Sequence, residues 1–141
     1  MALTTANSTM ALTTQTLYPS AQLIQGYAAD DAFDTEAVEN GEYSMGIDGK
    51  LSAGFVFNPI PLTMTLQADS TSLNIFENIW QFEFKNRAKL SQNVTITVPA
   101  VGKRYEFFDG FMRSYKAPAG KRILEPGVVV FLFNSLQVSP I

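Results

Sequence analysis

The densest set of potential ligand oxygens in the chain is the run Asp30-Asp31-Ala32-Phe33-Asp34-Thr35-Glu36-Ala37-Val38-Glu39-Asn40-Gly41. A calcium loop needs oxygen ligands at alternate positions around a central Gly, closed by a Glu. Asp30, Asp34 and Glu36 lack that register, so the run reads as a solvated loop or short helix, and no metal site is expected. Serines are plentiful, but there is no His to activate one, and no Ser-x-x-Lys spacing offers a lysine base. The absence of Cys removes thiol nucleophiles, thiolate metal sites and disulfides together. Paired carboxylates can cleave glycosides, yet the acids here cluster in one segment and nothing in the sequence forms a sugar cleft. The phosphate-cradling pattern GxxxxGK[ST] is missing. No catalytic residue and no cofactor site is expected, and the chain reads as a non-enzyme whose product is its own surface.

Two basic dipeptides remain, Lys103-Arg104 and Lys121-Arg122, each beside a turn signal. They read either as solvated strand ends or as contacts to acidic groups of a neighbour. Trp80 and the other aromatics do not interleave with basic residues as in a single-strand binding groove. A net charge of −3 also argues against neutralising a polyanion. The distribution of charge says more than its total. Six of the 13 acids fall between Asp30 and Glu42, and nine of the 10 bases fall between Lys85 and Arg122. Either these are separate solvated faces of a monomer, or copies stack with an acidic segment (Asp30, Asp31, Asp34) against a basic edge (Lys103, Arg104, Lys121, Arg122) of the next. Complementary charge of that kind sets register and partner choice.

The elements that hold these residues are mostly strands. At 46% hydrophobic residues, the 141-residue chain can bury a core of one domain. Its longest apolar run, Val128 to Phe133, is far short of the roughly 20 residues of a membrane-spanning helix, so no membrane association is expected. The first basic residue is Lys50, which leaves no basic stretch for a secretory signal. Residues 1–20 are rich in Thr, Ala and Ser and echo Met1-Ala2-Leu3-Thr4-Thr5 in Met10-Ala11-Leu12-Thr13-Thr14. They read as a flexible arm, or as an arm that orders against a neighbouring subunit through Leu17, Tyr18 and Leu23. Residues 21–141 read as a single domain.

Within it, Tyr43, Met45 and Ile47 share a face before Asp48-Gly49, a strong hairpin signal. Leu51, Ala53, Phe55 and Phe57 share the next, and each strand is expected to be half-buried. Asn58-Pro59-Ile60-Pro61 interrupts, and Leu62, Met64, Leu66 and Ala68 resume the alternation. The period then changes. Leu73, Phe76, Ile79, Trp80 and Phe84 recur at three- and four-residue steps behind Asp69 to Ser72, which predicts one helix over about 70–84. Val94, Ile96 and Val98 alternate again. Lys103 to Lys116 reads as a long strand with Tyr105, Phe107, Phe111 and Tyr115 on one face, bent or bulged at Asp109-Gly110. A last strand from about Arg122 to Val138 is apolar on both faces at its centre, so one face meets the core and the other the helix or another subunit.

The wording of these elements resembles the small tail tube proteins of contractile-tailed bacteriophages. The resemblance covers about two-thirds of the chain, from about Gly41 to Val138. It rests on the hairpin Gly46-Ile47-Asp48-Gly49, on Leu66-Gln67-Ala68-Asp69-Ser70 leading into the helix, and on Gly102-Lys103-Arg104-Tyr105, Asp109-Gly110, Pro118-Ala119-Gly120-Lys121 and Leu124-Glu125-Pro126. It implies a mainly β protein, an antiparallel β-sandwich or partial barrel with one flanking α-helix. Six such copies would join their inner sheets into a ring. Rings would stack into a hollow tube inside a sheath, above a baseplate, and genomic DNA would pass through the lumen without specific binding. The expected location is the virion tail, with assembly in the host cytoplasm. An acidic balance suits a lumen that repels a moving polyanion. A single-ring baseplate or tube-end protein of the same tail has the same pattern. A small-ligand-binding β-barrel, its pocket lined by the strand from Tyr105 to Tyr115, is the reading from another class.

Overall fold

Alternating residues become strands, and the three- and four-residue spacing becomes one helix. The computed structural model describes residues 8–24, 33–118, 120 and 124–141. Among these the order is β1 (Thr9–Thr14), β2 (Tyr18–Ile24), β3 (Phe33–Thr35), β4 (Gly41–Met45), β5 (Leu51–Phe55), β6 (Ile60–Leu66), α1 (Leu73–Asn86), β7 (Gln92–Val98), β8 (Lys103–Lys116), β9 (Gly127–Phe133) and β10 (Ser135–Pro140). Every strand pair is antiparallel. The class is mainly β with one helix, as the sequence indicates.

Two sheets face each other across the core. The first runs β2-β1-β7-β8-β10 and uses the first half of β8. The second runs β8-β9-β6-β3 and uses its second half. Met10, Leu12, Val94, Ile96 and Phe107 point inward from the first sheet. Leu62, Met64, Leu66, Val129, Phe131 and Phe133 meet them from the second. The sheets form an open sandwich, not a closed barrel, and they are joined by strands that turn the corner.

The corner is at Asp109-Gly110. Asp109 has a left-handed φ of 53°, and its N–H donates to Asn93 Oδ1 at 2.9 Å. A Cβ at Gly110 would overlap the Phe133 ring, so only glycine lets that ring close the corner. On the paired chain, β9 stops at Phe133 and β10 starts at Ser135, with the Asn134 N–H donating to Phe108 O at 3.1 Å. The single last strand expected from Arg122 is therefore two. The corner also changes which residues face inward. Tyr105 and Phe107 point in before it, Gly110 and Met112 after it, and Phe111 is left 45% exposed, away from the aromatic face assigned to it.

The helix starts three residues later than expected and ends at Asn86. It buries Leu73, Phe76 and Ile79, with the Phe76 and Phe131 rings 5.8 Å apart. It thus lies on the core side of β9. Val128, Val130 and Leu132, on the other side, are half-buried without it.

Two other expectations change. Thr9–Thr14 is not a flexible arm but a strand between β2 and β7, because Met10, Leu12 and Thr14 alternate into the core. The strands β4 and β5 are not half-buried. They form a separate two-stranded ribbon, exposed almost throughout.

Candidate assembly surface

The ribbon turns at Gly46-Ile47-Asp48-Gly49. Gly49 has a φ of 83°, the Gly46 N–H donates to Lys50 O at 2.8 Å, and the Lys50 N–H donates to Asp48 Oδ1 at 3.1 Å. This is the hairpin its Asp-Gly pair announces. What alternation does not announce is the lack of cover. Tyr43, Met45, Leu51 and Phe55 are all more than half exposed, Phe57 is 88% exposed, and Ile47 at the tip is fully exposed. A soluble monomer rarely shows so much contiguous apolar surface.

At the base of the hairpin the sandwich is open. A groove with a volume of about 760 Å³ lies between β3 and β6 on one side and β7, β8 and β10 on the other. Phe33, Val38, Phe57, Val98, Val101 and Leu136 are among its lining residues, with Glu36 at the same wall. The segment from Glu36 to Asn40 is tied to the hairpin base, since Asn58 Nδ2 donates to Glu39 O at 2.6 Å and the Val56 N–H donates to Asn40 O at 2.9 Å.

The opposite flank is closed by α1. Asn78 Nδ2 donates to Tyr18 Oη at 3.0 Å, reaching the outer strand of the first sheet. Trp80 lies 6.4 Å from the Tyr115 ring in β8, the outer strand of the second. Tyr115 has its phenol pushed above the usual value, mainly by burial and then by the charge and hydrogen bond of Glu77. Beyond the helix, Glu83 is 7% exposed and acts as a staple. It accepts the Leu90 N–H at 2.9 Å and Lys89 Nζ at 3.2 Å, while Lys89 Nζ also donates to Met112 O at 2.7 Å. The outward side of α1 shows Trp80, 39% exposed, and Phe84, 63% exposed, with the Arg87 guanidinium 4.9 Å over the Phe84 ring.

Of the charged residues singled out in the sequence, Lys103 and Arg104 stand exposed at the start of β8, after the turn at Gly102 (φ 65°). Asp34 stands exposed on β3, opposite Thr63. Asp30, Asp31, Lys121 and Arg122 lie outside the described residues. Among the described ones, Lys103 and Arg104 belong to the first sheet and Asp34 to the second, with no salt bridge between them. Sequence reasoning missed the open groove and the outward aromatics of α1. The i, i+4 spacing of Trp80 and Phe84 carries the stripe past the buried Phe76 and Ile79, so Phe84 faces outward. Among the described residues, no cluster of acidic side chains could hold a metal ion, and no helix is long and apolar enough to cross a membrane.

A family model described as tail fiber protein gp32 matches residues 2–126. The chain belongs to the tail fiber protein gp32 family. Solved structures extend this to the fold. A chain of the anti-feeding prophage baseplate matches with a TM-score of 0.64 at 8% identity, covering 99% of this chain and 97% of that one. A chain of the anti-feeding prophage tube-terminating cap gives 0.57 at 9%, covering 100% and 93%. A chain of the PVC sheath-tube complex, an extracellular contractile injection system, gives 0.56 at 8%, covering 94% and 88%. No curated protein matches the chain. The chain thus has the sandwich fold found in contractile particles, which agrees with the fold the resemblance implies.

Proposed function

We propose that this gp32-family chain is a structural subunit of a bacteriophage tail tube, six copies to a ring, with rings stacked around a channel for genomic DNA. The observation that carries the reading is the β4-β5 hairpin, whose Tyr43, Met45, Leu51 and Phe55 form one apolar face uncovered within the monomer. Such a surface is stable in water when another copy covers it. The tail family and the fold shared with contractile particles agree with it. Sheath and baseplate proteins are then the outer and lower partners, the virion tail is the location, and assembly takes place in the host cytoplasm. The chain acts by assembly and not by catalysis, in keeping with a sequence that has neither His nor Cys. The likeness to a baseplate chain favours a second reading, a single-ring baseplate or tube-end protein of the same tail.

The test is negative-stain electron microscopy of the purified chain over a concentration series, beside the variant Ile47→Asp. The proposal expects hollow tubes from the parent chain and isolated rings from the variant. Rings that never lengthen in the parent would establish the single-ring reading. Monomers at every concentration would overturn both.

A further inference from the structure

The sandwich has two unlike flanks on opposite edges. In the first sheet, β2 and β10 are the outer strands. In the second, the outer strands are β8 and β3. The helix α1 spans β2 and the second half of β8, through Tyr18 and Tyr115. The groove opens between the other pair, β10 and β3. One flank is thus filled by a helix with aromatic side chains to spare, and the other lacks a filling.

From this juxtaposition we infer that α1 of one copy seats in the groove of the next, so that copies join side to side by their helix and groove flanks. The inference rests on the proposal that the chain assembles, and it names the surfaces. Polarity agrees. Trp80 and Phe84 project from α1, and the groove is lined by Phe33, Val38, Phe57, Val98, Val101 and Leu136. Charge agrees as well. The helix flank carries the exposed Lys85, Arg87, Arg113 and Lys116 and the Glu83-paired Lys89, with Glu77 and Glu83 as the opposing charges on α1. The groove flank carries the exposed Asp34, Glu36, Glu39 and Glu42. Lys103 and Arg104, paired with β10 and lying between the groove-lining Val101 and Tyr105, are the opposing charges on the groove flank. Opposite charge on two desolvating apolar surfaces steers the encounter and fixes its register. Because the flanks differ and sit on opposite edges, the contact is head-to-tail. Such a contact closes into a ring when its rotation divides a full turn.

The cysteine-free chain makes the test direct. Phe84→Cys and Leu136→Cys are combined in one chain, assembled, and treated with a flexible bis-maleimide. A denaturing gel should give a ladder of covalent oligomers ending at the ring size, whereas each single variant should stop at dimers. A second double variant, Ile47→Cys with Leu136→Cys, asks whether the hairpin fills the groove instead. A ladder from this pair and none from the first would overturn the inference. Rings or tubes in the microscope with no ladder from either pair would also overturn it, while leaving the assembly reading intact. No assembly at all would remove both. Charge gives an independent arm. Lys85→Glu with Arg87→Glu should abolish rings, and adding Glu36→Lys with Glu39→Lys should restore them. Rings unaffected by the first pair of reversals would count against the contact.

Discussion

Replacing Glu83 with Ala strands the buried Leu90 N–H and frees Lys89 from the helix end. A buried donor left without its partner costs about 1–3 kcal/mol, so E83A should lower the unfolding free energy read from urea titration by that amount, moving the midpoint down without changing the slope. Glu83→Gln keeps an acceptor in place and should lose less. Tyr115 offers a pH test at the same flank. Its folded-state pKa lies above the ordinary 10.0, because the neutral phenol is partly buried and hydrogen-bonded to the Glu77 carboxylate. The unfolded chain ionises first. The neutral phenol's contribution is therefore full below about pH 10 and is lost as pH rises through the folded value. Denaturation measured from about pH 9 to about pH 11 should show stability falling, and Tyr115→Phe should remove the share of that slope due to Tyr115.

Between residues and whole molecule stands the helix, which has two faces with different tasks. Phe76 is fully buried against Phe131, so Phe76→Ala should cost about 3–5 kcal/mol in thermal or urea denaturation. Phe84→Ala, on the outward face, should cost under about 0.5 kcal/mol in the monomer. If the two variants destabilise equally, the outward face is core and not interface. The same contrast explains what could be read from the sequence. β6 and β7 were legible because Leu62, Met64, Leu66 and Val94, Ile96, Val98 alternate without interruption and are buried as read. β1 was hidden by its Thr and Ala content, although Met10 and Leu12 keep the period. The hairpin's position was legible from Asp48-Gly49, but its exposure was not. Alternation names two faces and cannot say whether anything lies against either. Phe111 was assigned to the wrong face because the Asp109 left-handed residue reverses the parity of the strand halfway along it.

At the scale of the molecule the segregation of charge was legible, while its use was not. Knowing that the acids of 34–42 and the bases Lys85, Arg87, Arg113 and Lys116 belong to opposite flanks requires the strand order, and that order depends on long-range pairing. The consequence is testable in solution. Raising ionic strength from about 0.1 M to about 1 M shortens the screening length from about 10 Å to about 3 Å. Assembly measured by sedimentation should fall across that range, and a rise would mean that apolar contacts alone drive it. Lys103→Glu with Arg104→Glu should leave the monomer folded, since exposed charges contribute little to stability. The double reversal should weaken stacking of rings, and unchanged tube length would remove these two residues from the interface.

The turn at Asp109-Gly110 and Asn134 has a mechanical meaning. The two sheets are not held together by side-chain packing alone. The covalent backbones of β8 and of the β9-β10 segment each run from one sheet into the other, side by side and hydrogen-bonded. Shearing one sheet over the other would have to bend two main chains at a corner already filled by the Phe133 ring. A hollow column built from such subunits would pass a thrust along its axis from layer to layer with little give inside each subunit, and its compliance would be concentrated at the joints between copies.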